Sequence, residues 1–105
     1  QAFAWIAAET DLDSLILAAP GTGLLIPAHT GRRVIYGHPF ETVQAEMQQA
    51  AVEAYFAAPS TKFLIERQVD YVFYGPRERL LGGPAPQGLA LAYENQGVSL
   101  YAVTP

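Results

Sequence analysis

The segment from Pro20 to Gly23 has the residue types that bind phosphate. It follows an apolar run and precedes a predicted helix, and a glycine loop at a helix N-terminus can hold phosphate through free backbone N–H groups. The dinucleotide-binding fingerprint needs a third small residue three positions after the second glycine, where this chain has Ile26. No Gly-Lys-Ser/Thr sequence follows, so the segment is not a P-loop. A plain strand-to-helix turn is the favoured interpretation, and phosphate binding is the functional alternative.

The segment around His38 combines an imidazole with a nearby carboxylate, that of Glu41. With His29 these groups would offer metal ligands, but a zinc site needs three or four converging ligands and the chain has 2 histidines. We therefore predict no metal. The favoured interpretation is that His38 holds its loop by a hydrogen bond to the backbone while Pro39 starts a helix. Contact with a ligand or a partner is the alternative.

Two arginine clusters are candidates for contact with anions. Arg77 and Arg79 flank Glu78 at a predicted helix start, and the guanidinium fork suits phosphate or carboxylate. The favoured alternative is a solvated helix end with an internal ion pair. Arg32 and Arg33 stand at a strand entrance, where we expect them to be solvated, with contact to an anionic lipid as the alternative.

Several aromatic rings on predicted strands have the chemistry for stacking on a sugar. Strand aromatics pack more often in the core or on the face of a sheet, and that interpretation is favoured. The tyrosines concerned are Tyr36, Tyr71, Tyr74, Tyr93 and Tyr101.

No constellation of catalytic groups emerges from the spacing. Ser14, Ser60 and Ser99 lack the sequence context of a nucleophile elbow, and Asp11 and Asp13 fit a polar turn before a strand. We therefore predict that the chain is not an enzyme by itself and that it uses no cofactor.

The composition indicates a folded domain that does not bind nucleic acid. The chain has 105 residues, of which 50% are apolar and 15% are charged, so disorder is not expected. Its net charge is −4 with only 6 lysines and arginines, whereas a nucleic-acid binder needs several cations to neutralise phosphates. The absence of cysteine excludes disulfides and thiolate metal sites.

The hydrophobic pattern predicts helices that alternate with short strands. Continuous apolar runs bounded by polar residues or proline are typical of strands buried on both faces. Thr22 and Ser60 are predicted N-caps. The predicted helices are 2–9, 22–28, 43–58, 60–68 and one that begins at Pro76 and ends at Gly82 and Gly83. The predicted strands are 14–19, 32–36, 70–74, 89–93 and 98–103. The predicted buried face of the longest helix consists of Val43, Met47, Ala51, Ala54 and Tyr55.

This order of elements predicts a small three-layer, Rossmann-like α/β domain formed by residues 1–105, with three parallel strands and a C-terminal antiparallel hairpin. In such a sheet the loops after the first three strands lie along one edge. If the first strand lies between the other two, the chain reverses direction around it and opens a crevice at that edge. The predicted ligand-binding residues are Thr22, His38, Glu41, Arg77 and Arg79.

Two stretches, Leu25–Thr42 (LIPAHTGRRVIYGHPFET) and Asp70–Arg79 (DYVFYGPRER), resemble a known family. They are similar to the C-terminal extramembrane segment of multi-pass bacterial proteins that look like membrane glycosyltransferases of the dolichyl-phosphate-mannose mannosyltransferase type. Trp5-Ile6 and the Val98–Val103 strand fit the same pattern, so the resemblance covers nearly the whole chain. In that family the chemistry is attributed to an acidic residue in a loop near the first membrane helices. No residue of this chain matches that loop, so no catalytic residue is carried over.

The resemblance implies a non-catalytic accessory domain, excised from a larger membrane protein and located on the extracytoplasmic side. Such a domain would assist recognition of a glycan or acceptor, or would dock on the membrane portion of the parent protein. Its expected ligand is a glycan or a lipid phosphate. The alternative hypothesis assigns a different class of function: the chain is a self-standing binding or regulatory domain for a small phosphate-bearing ligand.

Overall fold

The computed structural model describes residues 2–36 and 44–103. Within these ranges the chain forms five helices and five strands. The helices are α1 (Ala2–Glu9), α2 (Pro20–Thr30), α3 (Ala45–Ala57), α4 (Thr61–Glu66) and α5 (Pro76–Arg79). The strands are β1 (Leu15–Leu17), β2 (Arg33–Val34), β3 (Tyr71–Tyr74), β4 (Ala90–Asn95) and β5 (Val98–Ala102).

The strands of the described ranges form one mixed sheet in the order β2-β1-β3-β5-β4. β1 lies between β2 and β3 and is parallel to both, with Leu15 opposite Arg33 and Leu17 opposite Val72. β5 runs antiparallel to β3, and β4 runs antiparallel to β5. Three parallel strands and a C-terminal antiparallel hairpin are therefore present, as the sequence predicts.

Alternate residues of the central strands supply two separate cores. Because strand side chains point to opposite faces in turn, Leu17 and Val72 belong to one core, and Ile16 and Phe73 to the other. Burial of each such large side chain contributes about 1.5–3 kcal/mol relative to exposure. The first core contains Leu17, Tyr36, Val52, Tyr55, Phe56, Leu64, Val69, Val72 and Tyr74. The second contains Ile6, Ile16, Ala18, Ile26, Phe73 and Leu100.

The buried guanidinium of Arg32 joins the C-terminal ends of α1 and α2. Nη2 of Arg32 donates to the carbonyl oxygens of Ala7 at 3.0 Å and Thr10 at 2.8 Å, and Nη1 donates to that of Thr30 at 2.8 Å. Carbonyl groups at helix C-termini carry partial negative charge, which explains how a cation that is 5% exposed is tolerated. The prediction that Arg32 and Arg33 are both solvated is therefore wrong for Arg32, while Arg33 is exposed.

Helix α2 begins two residues earlier than the sequence pattern predicts. Pro20 occupies its first position, where a fixed φ favours helix and the missing N–H costs nothing, so Ala19 is the N-cap. Thr22 lies inside the first turn and is not the predicted N-cap. At the other end, Gly31 adopts φ 73° and its N–H bonds back into the last turn of the helix.

Helix α3 presents a different face to the core from the predicted one. Met47 is 65% exposed and Ala54 is also exposed, whereas Val52, Tyr55 and Phe56 are buried. The helix is rotated so that its bulkiest apolar side chains, at spacings of three and four residues, are removed from water. The prediction that Met47 and Ala54 belong to the buried face is wrong for this reason. Val43, the first residue of that face, lies outside the described residues.

The loop after α5 packs closely on the end of α3 at Gly83. A Cβ on Gly83 would overlap the carbonyl oxygens of Phe56 and Ala57. The glycine is therefore needed for close approach of two backbones.

The remaining elements form where they are predicted, with shifted ends. Helix α4 ends at Glu66 rather than Gln68, and the Ser60 side chain makes no capping hydrogen bond. Helix α5 begins at Pro76 as predicted but ends at Arg79, before the two glycines. No helix within the described ranges has the length and apolar character that crossing a bilayer requires.

Candidate functional site

The C-terminal ends of β1 and β3 meet at one edge of the sheet, where α2 and α5 begin and β5 starts. A cavity of about 320 Å³ opens there, which we call the crevice. Because β1 lies between β2 and β3, the chain reverses direction at this point, and open α/β sheets bind ligands at such positions. The crevice is lined by Ala2, Phe3, Thr22, Leu25, Phe73, Pro76, Arg77, Tyr93, Asn95, Gln96 and Val98.

Thr22 contributes a buried hydroxyl to the crevice. The residue is 1% exposed, and its Oγ1 has no hydrogen-bond partner among the described residues. Two other buried threonines, Thr10 and Thr30, donate to the carbonyl oxygen four residues earlier, each at 2.6 Å. The corresponding residue for Thr22 is Ala18, which precedes the helix. An unpaired buried hydroxyl costs about 1–3 kcal/mol, so Thr22 Oγ1 is a polar group that a ligand can satisfy.

The first turn of α2 also presents backbone donors. Pro20 has no N–H, and the N–H of Gly23 donates to the carbonyl oxygen of Ala19 at 2.8 Å. The N–H groups of Gly21 and Thr22 donate to no described residue. A helix N-terminus carries partial positive charge, so these two donors favour an anion.

The side chain of Arg77 lies across the first turn of α2. A Cβ on Gly21 would be 2.9 Å from Cδ of Arg77 and 3.0 Å from its Nε. A side chain at Gly21 would therefore displace the arginine side chain, which passes close to the backbone. This contact brings a guanidinium to the helix N-terminus, although α2 and α5 are far apart in sequence.

A buried carboxylate, that of Glu78, connects the starts of the two helices. Its Oε1 accepts the N–H of Gly75, the N-cap of α5, at 2.9 Å. Its Oε2 accepts the N–H of Ala19, the N-cap of α2, at 2.8 Å. Glu78 is 0% exposed, so the prediction of a solvated helix end is wrong for this residue. The carboxylate stabilises both helix starts and fixes the ends of β1 and β3 relative to each other.

The charge balance of the crevice favours a negatively charged ligand. Arg77 is the only charged residue among the described residues that line it. The nearby carboxylate of Glu78 already accepts two N–H groups and does not line the cavity. Arg79 points elsewhere, with its guanidinium carbon 5.0 Å from the centroid of the Tyr74 ring.

Aromatic and amide groups complete the walls of the crevice. Phe3 stacks on Phe73 with ring centroids 5.9 Å apart, and Tyr93 stands beside them. Asn95 and Gln96, at the turn of the β4–β5 hairpin, add side-chain amides. The cavity therefore combines an apolar wall with polar groups that can orient a ligand.

The structure brings together two of the five predicted ligand-binding residues, Thr22 and Arg77. Arg79 lies outside the lining of the crevice, and His38 and Glu41 lie outside the described residues.

Sequence reasoning missed the amides of Asn95 and Gln96. A usable signal was present, because an antiparallel return strand must start at the edge where the parallel strands end.

The tyrosines do not form one stacking surface. Tyr36 and Tyr74 are each 7% exposed and belong to the first core. Tyr71 and Tyr93 pack on the ring of Trp5, with centroid distances of 5.9 and 5.6 Å. The favoured interpretation, packing in the core, is therefore confirmed for Tyr36 and Tyr74, and the alternative that they offer stacking faces is wrong.

Two other cavities are weaker candidates. One, of about 300 Å³, lies beside Tyr55, where burial raises the pKa of the phenol to about 12 and keeps it neutral. Another, of about 340 Å³, lies near Asp13, Arg33 and Asp70. The carboxylate of Asp70 already accepts the N–H of Leu15 at 2.8 Å, so it is engaged by the protein itself. The described residues contain no cluster of three His, Cys, Asp or Glu side chains that would hold a metal ion.

Sequence comparison assigns the chain to no family: no family model matches it, and no curated protein matches it.

Proposed function

We propose that this chain is a non-catalytic accessory domain of a glycosyltransferase-like membrane protein, located on the extracytoplasmic side. It assists recognition of a glycan or acceptor through the crevice, or docks on the membrane portion of its parent. The observation that carries the recognition role is the convergence of Thr22 and Arg77 on one cavity at the point of chain reversal.

The chemistry of the crevice supports a binding role rather than a catalytic one. Catalysis of glycosyl transfer or hydrolysis normally uses paired carboxylates or an activated nucleophile. The carboxylate of Glu78, at the start of α5, is fully buried and accepts two backbone N–H groups, so it is not available to a substrate.

The proposal includes the class of fold to which the domain belongs. We take the fold to be a three-layer, Rossmann-like arrangement, supported by two cores that use opposite faces of β1 and β3. One core includes side chains of α3 and α4, and the other includes side chains of α1 and α2. Folds of this kind position ligands at the C-terminal ends of their strands.

Replacement of Arg77 in the full-length protein tests the recognition role. Arg77→Ala is expected to raise KM for the recognised substrate about tenfold and to leave kcat within about twofold, because binding is lost but chemistry is not. Lys62→Ala is the matched control, since Lys62 is an exposed cation on α4 whose ammonium lies 3.9 Å from a carboxylate oxygen of Glu66 in a surface ion pair. Loss of kcat at unchanged KM, or equal effects of both substitutions, would contradict a recognition role.

The second candidate is a self-standing binding or regulatory domain for a small phosphate-bearing ligand. The crevice favours it equally, because all the groups that line it come from this chain.

The location of the domain separates the two candidates. An alkaline phosphatase reporter fused after Pro105 of the full-length protein is expected to be active. An inactive fusion, with a cytoplasmic reporter active at the same position, would reject the accessory role.

A further inference from the structure

We infer that the crevice binds the phosphate group of a small phosphate monoester at the first turn of α2. This inference rests on the proposed recognition function, because it names the ligand group of the same site. The phosphate accepts hydrogen bonds from the N–H groups of Gly21 and Thr22 and from Thr22 Oγ1, and the guanidinium of Arg77 closes over it.

The backbone supplies the first part of the site. Helix α2 has 11 residues, which is long enough for its peptide dipoles to produce partial positive charge at its start. The N–H groups of Gly21 and Thr22 donate to no described residue. Because neighbouring N–H groups of a first turn point in similar directions, they can reach two oxygens of one tetrahedral anion.

The hydroxyl of Thr22 is the independent observation that points to a ligand. It is a buried donor that lines the crevice and has no partner among the described residues. Its neighbours at the start of α2 are N–H donors, so an acceptor-rich ligand suits this end of the crevice. An ionised phosphate is acceptor-rich and satisfies the hydroxyl and both N–H groups together.

Arg77 supplies the charge. Its side chain lies on Gly21, and it forms no hydrogen bond or salt bridge with any described residue. Hydrogen bonds between a guanidinium and a phosphate are charge-assisted and frequently bidentate. The carboxylate of Glu78 accepts two N–H groups and does not line the crevice, and Glu94, on β4, is exposed and accepts from Ser99 at 3.3 Å.

The rest of the crevice limits the size of the ligand. Its volume of about 320 Å³ is at the lower end of small-ligand sites, with room for a phosphate and one small organic group. Beyond Arg77 the walls offer the rings of Phe3 and Phe73 and the amides of Asn95 and Gln96. These groups suit a hydroxylated ring, which has an apolar face and hydrogen-bonding edges. Such a phosphate monoester is either soluble, as in a sugar phosphate, or the headgroup of a lipid.

Calorimetric titration of the 105-residue chain with glucose 1-phosphate tests the inference for a soluble ligand. Vesicles of phosphatidylcholine with phosphatidylinositol 4-phosphate, whose headgroup is a phosphate monoester on a hydroxylated ring, test it for a lipid headgroup, and methyl glucoside is the neutral probe. Binding of either phosphate probe without binding of methyl glucoside is expected. Binding of methyl glucoside as tightly as glucose 1-phosphate would overturn the phosphate assignment and leave the recognition role intact. Binding of none of the probes would overturn the inference.

Two substitutions identify the groups responsible. Thr22→Val keeps the shape and removes the hydroxyl, and is expected to weaken binding about fivefold or more without loss of thermal stability. Arg77→Met keeps an unbranched chain over Gly21 and removes the charge, with an expected loss of about tenfold or more. Thr61→Val and Lys62→Met, on α4, are the matched controls and should bind like the unchanged protein. Affinity that survives both crevice substitutions would overturn the inference, even if the probe binds.

Discussion

Arg32→Ala is expected to lower the free energy of unfolding by about 3–5 kcal/mol, because several charge-assisted hydrogen bonds are lost together; this is a large part of the 5–15 kcal/mol typical of a small domain. The side chain makes four hydrogen bonds, to Oγ1 and the carbonyl oxygen of Thr10 and to the carbonyl oxygens of Ala7 and Thr30. Alanine leaves these buried acceptors without a donor and removes the cation that offsets the C-terminal ends of α1 and α2. Urea unfolding followed by circular dichroism measures the loss.

Arg33→Ala is the matched control for this prediction. Arg33 is the adjacent residue of the same type and is exposed, and among the described residues its side chain donates only to the carbonyl oxygen of Asp13, at 2.7 and 3.1 Å. Its substitution should cost less than about 1 kcal/mol. Arg32→Lys should lie between the two, since an ammonium cannot reproduce the fork of the guanidinium. Equal losses for Arg32→Ala and Arg33→Ala would contradict the role assigned to Arg32.

Glu78→Ala is expected to destabilise the protein by about 3 kcal/mol, because the N–H groups of Ala19 and Gly75 both lose a buried, charged acceptor. Glu78→Gln should cost less than Glu78→Ala but more than a surface substitution. Its amide has one oxygen for two N–H groups and turns an NH2 toward the other donor. Thermal unfolding of the three proteins at one pH measures the order of stability.

Glu66→Ala controls for loss of a helical carboxylate. Glu66 is exposed on α4, and its contact with Lys62 at 3.9 Å is a surface ion pair, so its replacement should change stability by less than about 0.5 kcal/mol. If Glu78→Ala were as mild as Glu66→Ala, the carboxylate would not connect the starts of α2 and α5.

The sheet and the position of the crevice could be predicted because they depend on local patterns. Apolar runs at 14–19 and 70–74 indicate buried strands, and intervening helices imply parallel neighbours. Parallel strands end at one edge, which predicts that Thr22 and Arg77 lie close together there. The prediction did not depend on knowledge of any side-chain contact.

The burial of charged residues could not be predicted in the same way. Glu78 is stabilised by the N–H of a residue 59 positions earlier, and Arg32 by carbonyl groups at the ends of two helices. The hydrogen-bond partners of Glu78 and Arg32 come together only when the helices are in place. Composition and spacing therefore predict that both side chains are exposed to solvent. The predicted buried face of α3 is wrong for a related reason. The close approach of Gly83 and the surrounding core decide which face of the helix is buried.

Amide chemical shifts of the ¹⁵N-labelled chain during titration with glucose 1-phosphate test the central claim most directly, since they report where the phosphate binds. The N–H resonances of Gly21 and Thr22 should move first and furthest, followed by those of Asn95 and Gln96 at the hairpin turn, and Thr22→Val should reduce the shifts. Changes confined to the cavity beside Tyr55, or to the cavity near Arg33 and Asp70, would contradict the assignment of the crevice as the ligand site.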